Sequence, residues 1–107
     1  MANFRLIRCT IYRDEWFLNL DVDAKLLFIY LFSNDLASAC GIYRIPFKVI
    51  VFESGIKEDR VRELLDEFRH DGKAEYEDGI IWVKNMREHQ ETRSPKLQVA
   101  IQRDIAQ

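Results

Sequence analysis

The sequence predicts a single α+β domain, mainly helical, on three observations. An apolar run, Ala24-Lys-Leu-Leu-Phe-Ile-Tyr-Leu-Phe32, lies behind an acidic start and has the length of a helix. A later segment spaces Val61, Leu64, Leu65 and Phe68 at i, i+3, i+4 and i+7, which is one face of a second helix. Between Ala74 and Lys84 two short segments flank Asp78-Gly79, the strongest local signal for a β-hairpin. The chain has 107 residues, enough for one core. Its 48% apolar and 32% charged content is far from the signature of disorder.

Taken in order, Phe4-Arg-Leu-Ile-Arg-Cys-Thr-Ile-Tyr12 is rich in β-branched and aromatic residues and predicts an extended arm. A helical turn from Asp14 to Leu18 follows, and residues 1–20 are assigned to the arm. Asp21 is a good N-cap and Asp23 suits the first turn, so a helix is predicted from about Val22 to Asn34. It is apolar nearly all round, the pattern of a helix central to its domain or shared with a partner subunit. A loop closing at Gly41 leads to a strand at Ile42-Tyr-Arg-Ile45, and Pro46 opens a further helix that ends near Ser54-Gly55. The amphipathic helix begins near Lys57 and stops at Gly72. In the hairpin, a two-residue type I′ turn sets Tyr76 opposite Ile81, Ala74 opposite Val83, Glu75 opposite Trp82 and Glu77 opposite Ile80. Trp82 then points away from the core. Pro95 opens a C-terminal helix with Leu97, Ala100, Ile101 and Ile105 on one stripe, within an extension assigned to residues 86–107. That helix stops abruptly at the chain end, as a fragment of something longer would.

Helix, strand, helix, tight turn, helix, hairpin is the order of a winged helix-turn-helix, here over residues 21–85: a three-helix core plus a β-hairpin wing. Five strings carry a resemblance beyond the fold: Asp23-Ala-Lys-Leu-Leu-Phe-Ile-Tyr-Leu31, Gly41-Ile-Tyr-Arg-Ile-Pro46, Arg60-Val-Arg-Glu-Leu-Leu65, Ile81-Trp-Val-Lys-Asn85 and Ser94-Pro-Lys96. Together they resemble the N-terminal winged-helix domain of phage and prophage replication initiation proteins, a group similar to the DnaD primosomal proteins. The resemblance implies a replisome organiser that recruits or loads replication proteins through DNA contacts, self-association or both. In DnaD-like proteins this domain is largely an oligomerisation module, and a separate C-terminal part carries the main DNA-binding activity.

Charge bears directly on the DNA question. In a helix-turn-helix, the side chains opposite the core face of the second helix reach base edges. At about 100° per residue, that face here consists of Asp59, Glu63, Asp66 and His70. From Ser54 to Asp78 there are five basic residues and nine acidic ones, a net of −4, and carboxylates approaching phosphates are repelled. Even the helix start carries Glu58 and Asp59. Positive charge collects elsewhere: Arg5, Arg8 and Arg13 in the arm, Arg44 and Lys48 around the short strand, Lys57 and Arg60 at the helix start, and Lys84, Arg87, Arg93 and Lys96 after the wing. These are either a DNA-contact set or a solvated surface that balances the acidic helix. The formal net charge of −2 makes any DNA contact local.

Core packing accounts for most aromatic residues, including Trp16, Phe17, Phe28, Tyr30, Phe32, Tyr43, Phe47, Phe52, Phe68 and Tyr76. Phe4, Trp82 and Ile80, with Trp16, form the candidate interface set, to be covered by a second chain or by the C-terminal helix. No Gly-rich phosphate loop, Ser/His/Asp set, HExxH or paired-carboxylate pattern occurs, so an enzyme is not expected, nor is a small-molecule substrate. Cys9 and Cys40 have no CxxC spacing and His70 and His89 are isolated, so they are read as half-buried reduced thiols and surface imidazoles rather than a zinc site; no cofactor is expected. The longest apolar run, Leu26 to Phe32, is too short to span a bilayer, and with no signal peptide the expected compartment is the cytoplasm. Two functional readings remain. One is a DNA-binding module of replication initiation acting through the basic arm and wing flank. The other is a homo-oligomerising scaffold whose acidic helix docks a basic partner, such as a replicative helicase or its loader. A winged-helix transcriptional regulator is a third, weakened by the same acidic stripe.

Overall fold

Side-chain caps start the first two α-helices of this chain, and the two that follow start without one. The computed structural model describes residues 4–84. A 3-10 helix, Cys9–Arg13, is followed by α1 (Glu15–Leu18), α2 (Val22–Ser33), β1 (Ile42–Arg44), α3 (Phe47–Ser54), α4 (Glu58–His70), β2 (Ala74–Glu77) and β3 (Ile80–Val83). Asp14 accepts the Phe17 backbone N–H at 3.0 Å to start α1, and Asp21 accepts that of Ala24 at 2.9 Å to start α2. Pro46 is the N-cap of α3 rather than its first helical residue, with φ −64° and ψ 144°. Gly55 ends α3 at φ 74°, a left-handed conformation that glycine adopts without steric penalty.

The three strands form one antiparallel sheet in the order β1-β3-β2. Its hairpin register sets Ala74, Glu75, Tyr76 and Glu77 opposite Val83, Trp82, Ile81 and Ile80, as the two-residue turn requires. Asp78 and Gly79 have φ of 52° and 78°, both positive as a type I′ turn demands. β1 joins the far side of β3 with Ile42 opposite Trp82, Tyr43 opposite Ile81 and Arg44 opposite Ile80. Backbone bonds from Val83 to Gly41 (2.7 Å) and from Ile45 to Gly79 (2.8 Å) extend that pairing past both strand ends.

One face of the sheet and one face of each long helix share a core of Leu27, Leu31, Phe32, Ile45, Ile50, Val61, Leu64, Phe68, Ile81 and Val83, each under 2% exposed. Four buried residues of α4, Val61, Leu64, Leu65 and Phe68, supply its whole apolar stripe. Phe28 gathers the aromatic part: its ring meets Trp16 at 4.9 Å, Phe32 at 5.1 Å, Phe68 at 5.3 Å and Phe17 at 6.4 Å.

Three further expectations need correction. The arm is not extended throughout: Cys9–Arg13 turns into a 3-10 helix, closed by Ile11 N–H to Arg8 and Asp14 N–H to Ile11. No strand among the described residues offers this segment a ladder, and the turn buries Ile11 while Tyr12 stays outside. Phe52 is not in the core but 88% exposed. It lies about 200° around α3 from the fully buried Ile50 and shares the outer face with Lys48, four residues earlier. The thiols are not alike: Cys9 is exposed and Cys40 buried. The predicted C-terminal helix, with Leu97, Ala100, Ile101 and Ile105, lies outside the described residues. No helix among the described residues is long and apolar enough to cross a membrane.

Burial separates the two phenylalanines sharply. Phe68→Ala is expected to destabilise the fold by about 3–5 kcal/mol through lost burial and a cavity, whereas Phe52→Ser changes stability by less than about 0.5 kcal/mol; urea denaturation midpoints measure both. A second test concerns Asp21, whose carboxyl is held below the usual carboxylate range, first by the Ala24 N–H and also by Arg60. A depressed folded-state value means that the contribution of ionised Asp21 is complete above the ordinary range near pH ~4 and is lost as pH falls through the folded value. The urea midpoint of the wild type is therefore expected to exceed that of Asp21→Ala at neutral pH, with the gap closing in acid.

Candidate interaction surfaces

The outward face of α4 is acidic in space as well as in sequence. Asp59, Glu63, Asp66 and His70 are all exposed, and Glu67 and Asp71 continue the surface into a shallow depression with Glu63, Asp66 and His70. Every arginine on this helix is held by a carboxylate. Arg60 pairs with Asp21, with Glu63 at 3.0 Å and with Glu67 at 3.9 Å; Arg62 pairs with Glu58 at 3.4 Å, and Arg69 with Asp66 at 3.5 Å. The hydrogen bond that Arg60 donates to Glu63, and the charges of Asp21 and Glu67, hold the Arg60 guanidinium above its ordinary range. Arg62 also lies over the Phe47 ring, 4.4 Å from its centroid. A helix arranged in this way has a negative field and committed cations, both unfavourable for a phosphate backbone.

Those of the remaining predicted DNA-contact residues that lie within residues 4–84 differ in what they touch. Arg5 turns inward and donates to the Ala37 carbonyl, at the loop before β1. Arg8 is exposed at the start of the 3-10 helix. Lys84 reaches Glu75 at 3.2 Å and covers the Trp82 ring. Arg44, Lys48 and Lys57 are exposed and make no ion pair among the described residues. Arg87, Arg93 and Lys96 lie outside the described residues.

Three exposed apolar residues share the outer face of the sheet. Residues directly opposite one another in an antiparallel sheet share a face, so two rows cross it: Ile42, Trp82 and Glu75, then Arg44, Ile80 and Glu77. All six are exposed; Ile42 retains 50%, Trp82 45% and Ile80 38% of its surface. Trp82 and Ile80 were legible as interface candidates from the hairpin alone. Ile42 was not, because only its pairing with β3 brings it beside them. Phe4, also predicted for an interface, is 79% exposed. Trp16 has contacts within the chain instead: its indole N–H donates to Asp71 at 2.8 Å, its ring packs on Phe28 and Phe68, and Lys73 sits over it.

Behind the sheet, a polar knot fixes where β1 enters. The Tyr43 hydroxyl donates to the Leu31 carbonyl at 2.6 Å and accepts from Asn34 Nδ2 at 2.9 Å, while Asn34 Oδ1 accepts the Leu36 N–H at 3.0 Å. Burial pushes the Tyr43 phenol above its ordinary range, so it stays protonated and keeps donating. The end of α2, the loop to Gly41 and the inner face of β1 are thereby tied together, and Ile42 and Arg44 face outward. Among the described residues no group of three His, Cys, Asp or Glu is placed to hold a metal ion. The described surface carries an acidic helix face, exposed apolar residues on the sheet and the exposed cations Arg44, Lys48 and Lys57.

No family model, no curated protein and no solved structure matches the chain.

Proposed function

We propose that this chain is a winged-helix assembly module of DNA replication initiation, similar in kind to DnaD-like organisers, which works by self-association and partner docking. In this reading α4 does not enter a DNA groove. The observation that carries it is the outward surface of α4, where carboxylates predominate and all three arginines are ion-paired. Self-association is supported by the exposed apolar centre of the outer sheet face. The acidic helix suits a basic surface on a second replication protein, such as a helicase or its loader. The element order and the positive-φ turn of the hairpin support the winged-helix assignment.

A second reading keeps direct DNA contact, through Arg44, Lys48 and Lys57, and is favoured by their exposure and their lack of ion pairs among the described residues. Fluorescence anisotropy of a labelled duplex and a labelled single strand, from low to near-physiological salt, separates the two. The assembly reading predicts at most weak binding that disappears steeply as salt rises. Micromolar duplex binding retained near physiological salt, and lost on Arg44→Ala with Lys48→Ala, establishes the DNA reading instead.

A further inference from the structure

The outer sheet face carries its charges in a particular order. Across the row Arg44, Ile80, Glu77, the cation is on one edge strand, the apolar residue on the central strand and the carboxylate on the other edge. The two charged groups stand two strand spacings apart, about 10 Å, and neither makes an ion pair among the described residues. In the neighbouring row Glu75 is neutralised within the chain by Lys84 at 3.2 Å. One row is thus electrostatically closed and the other open at both ends, with Ile42, Trp82 and Ile80 exposed between.

We propose that this face is the contact between two copies of the chain, related by a two-fold axis parallel to the strands. That operation turns β1 of the second copy over β2 of the first and keeps the rows level. Arg44 of each copy then meets Glu77 of the other, so the open row closes twice across the interface. Ile80, on the central strand, packs against its own symmetry mate, Trp82 meets its mate with Lys84 lying over its ring, and Ile42 covers the stem of Glu75, whose carboxylate Lys84 already holds. An axis in the same plane but across the strands sets β1 on β1 and β2 on β2, bringing like charges together. The distribution therefore selects one of the two face-to-face arrangements. Stacked sheets lie about 10 Å apart, a gap that an arginine and a glutamate bridge between them.

The face is only three short strands wide, well under the ~800 Å² per partner of a standard stable interface, so the dimer is a weak one with a dissociation constant on the order of micromolar or above. This inference rests on the self-association reading and names its surface. Sedimentation equilibrium from micromolar to millimolar protein tests it. The wild type is expected to show a reversible monomer–dimer equilibrium that weakens with salt. Trp82→Glu is expected to be monomeric, and Arg44→Glu and Glu77→Lys each weaken association by about tenfold, since like charges then meet twice. An equimolar mixture of the last two variants is expected to recover wild-type association, because each copy then meets its opposite charge at both contacts. An unfolded variant cannot produce that recovery. Wild-type dimers with unchanged variants, or variants that weaken without recovery on mixing, overturn the sheet-face arrangement and leave self-association standing through another surface. A wild type monomeric over the whole range overturns both.

Discussion

Phe28 lies within ring-contact distance of four other aromatic residues that come from three helices: Trp16 and Phe17 from α1, Phe32 from its own helix α2 and Phe68 from α4. Edge-to-face rings add specific geometry to a large burial of apolar surface, so the angle at which α1 and α4 meet α2 depends on this cluster. The consequences run outward in both directions. α4, anchored at Phe68, leaves its acidic side to solvent, and the chain leaves it through Asp71, whose carboxylate holds the Trp16 indole. β2 follows at once and pairs with β3. The polar knot of Asn34 and Tyr43 continues the same constraint from the far end of α2 into β1.

What this frame presents to other molecules divides by chemistry. α4 is amphipathic in the strict sense, with four core residues on one side and carboxylates on the other, and its arginines are spent on those carboxylates. The sheet is amphipathic in a different way: Tyr43, Ile81, Ala74 and Val83 fill the core face, while the outer face is apolar at its centre and charged at its edges. The acidic face of α4 and the exposed apolar residues of the sheet are what support the proposed reading of protein partners over nucleic acid. Phe52 on α3 and Val22 and Leu26 on α2 are exposed as well, so not all of the apolar surface is on the sheet.

Much of this was legible in the sequence wherever the governing interaction is local. The hairpin register follows from two turn residues and a period of two; the cap at Asp21 and the buried stripe of α4 follow from spacings of three and four. Long-range pairing was not legible. Nothing near Ile42 says that it will sit beside Trp82, nothing near Arg5 says that it will donate to Ala37, and the tie between Asp21 and Arg60 spans half the described chain. The 3-10 turn at Cys9–Arg13 was missed because β propensity counts for little without a strand to pair with. Phe52 was misassigned through residue type, although its four-residue spacing from exposed Lys48 carried the right signal.

Two-dimensional amide NMR, recorded over a protein dilution series and again with duplex DNA added, tests the central claim most directly, because it reports α4 and the sheet separately. The account predicts concentration-dependent shifts confined to Ile42, Arg44, Glu77, Ile80 and the Trp82 indole, with α4 amides unmoved by duplex at near-physiological salt. Shifts along Asp59, Glu63 and Asp66 on duplex addition, with a sheet face insensitive to protein concentration, contradict it.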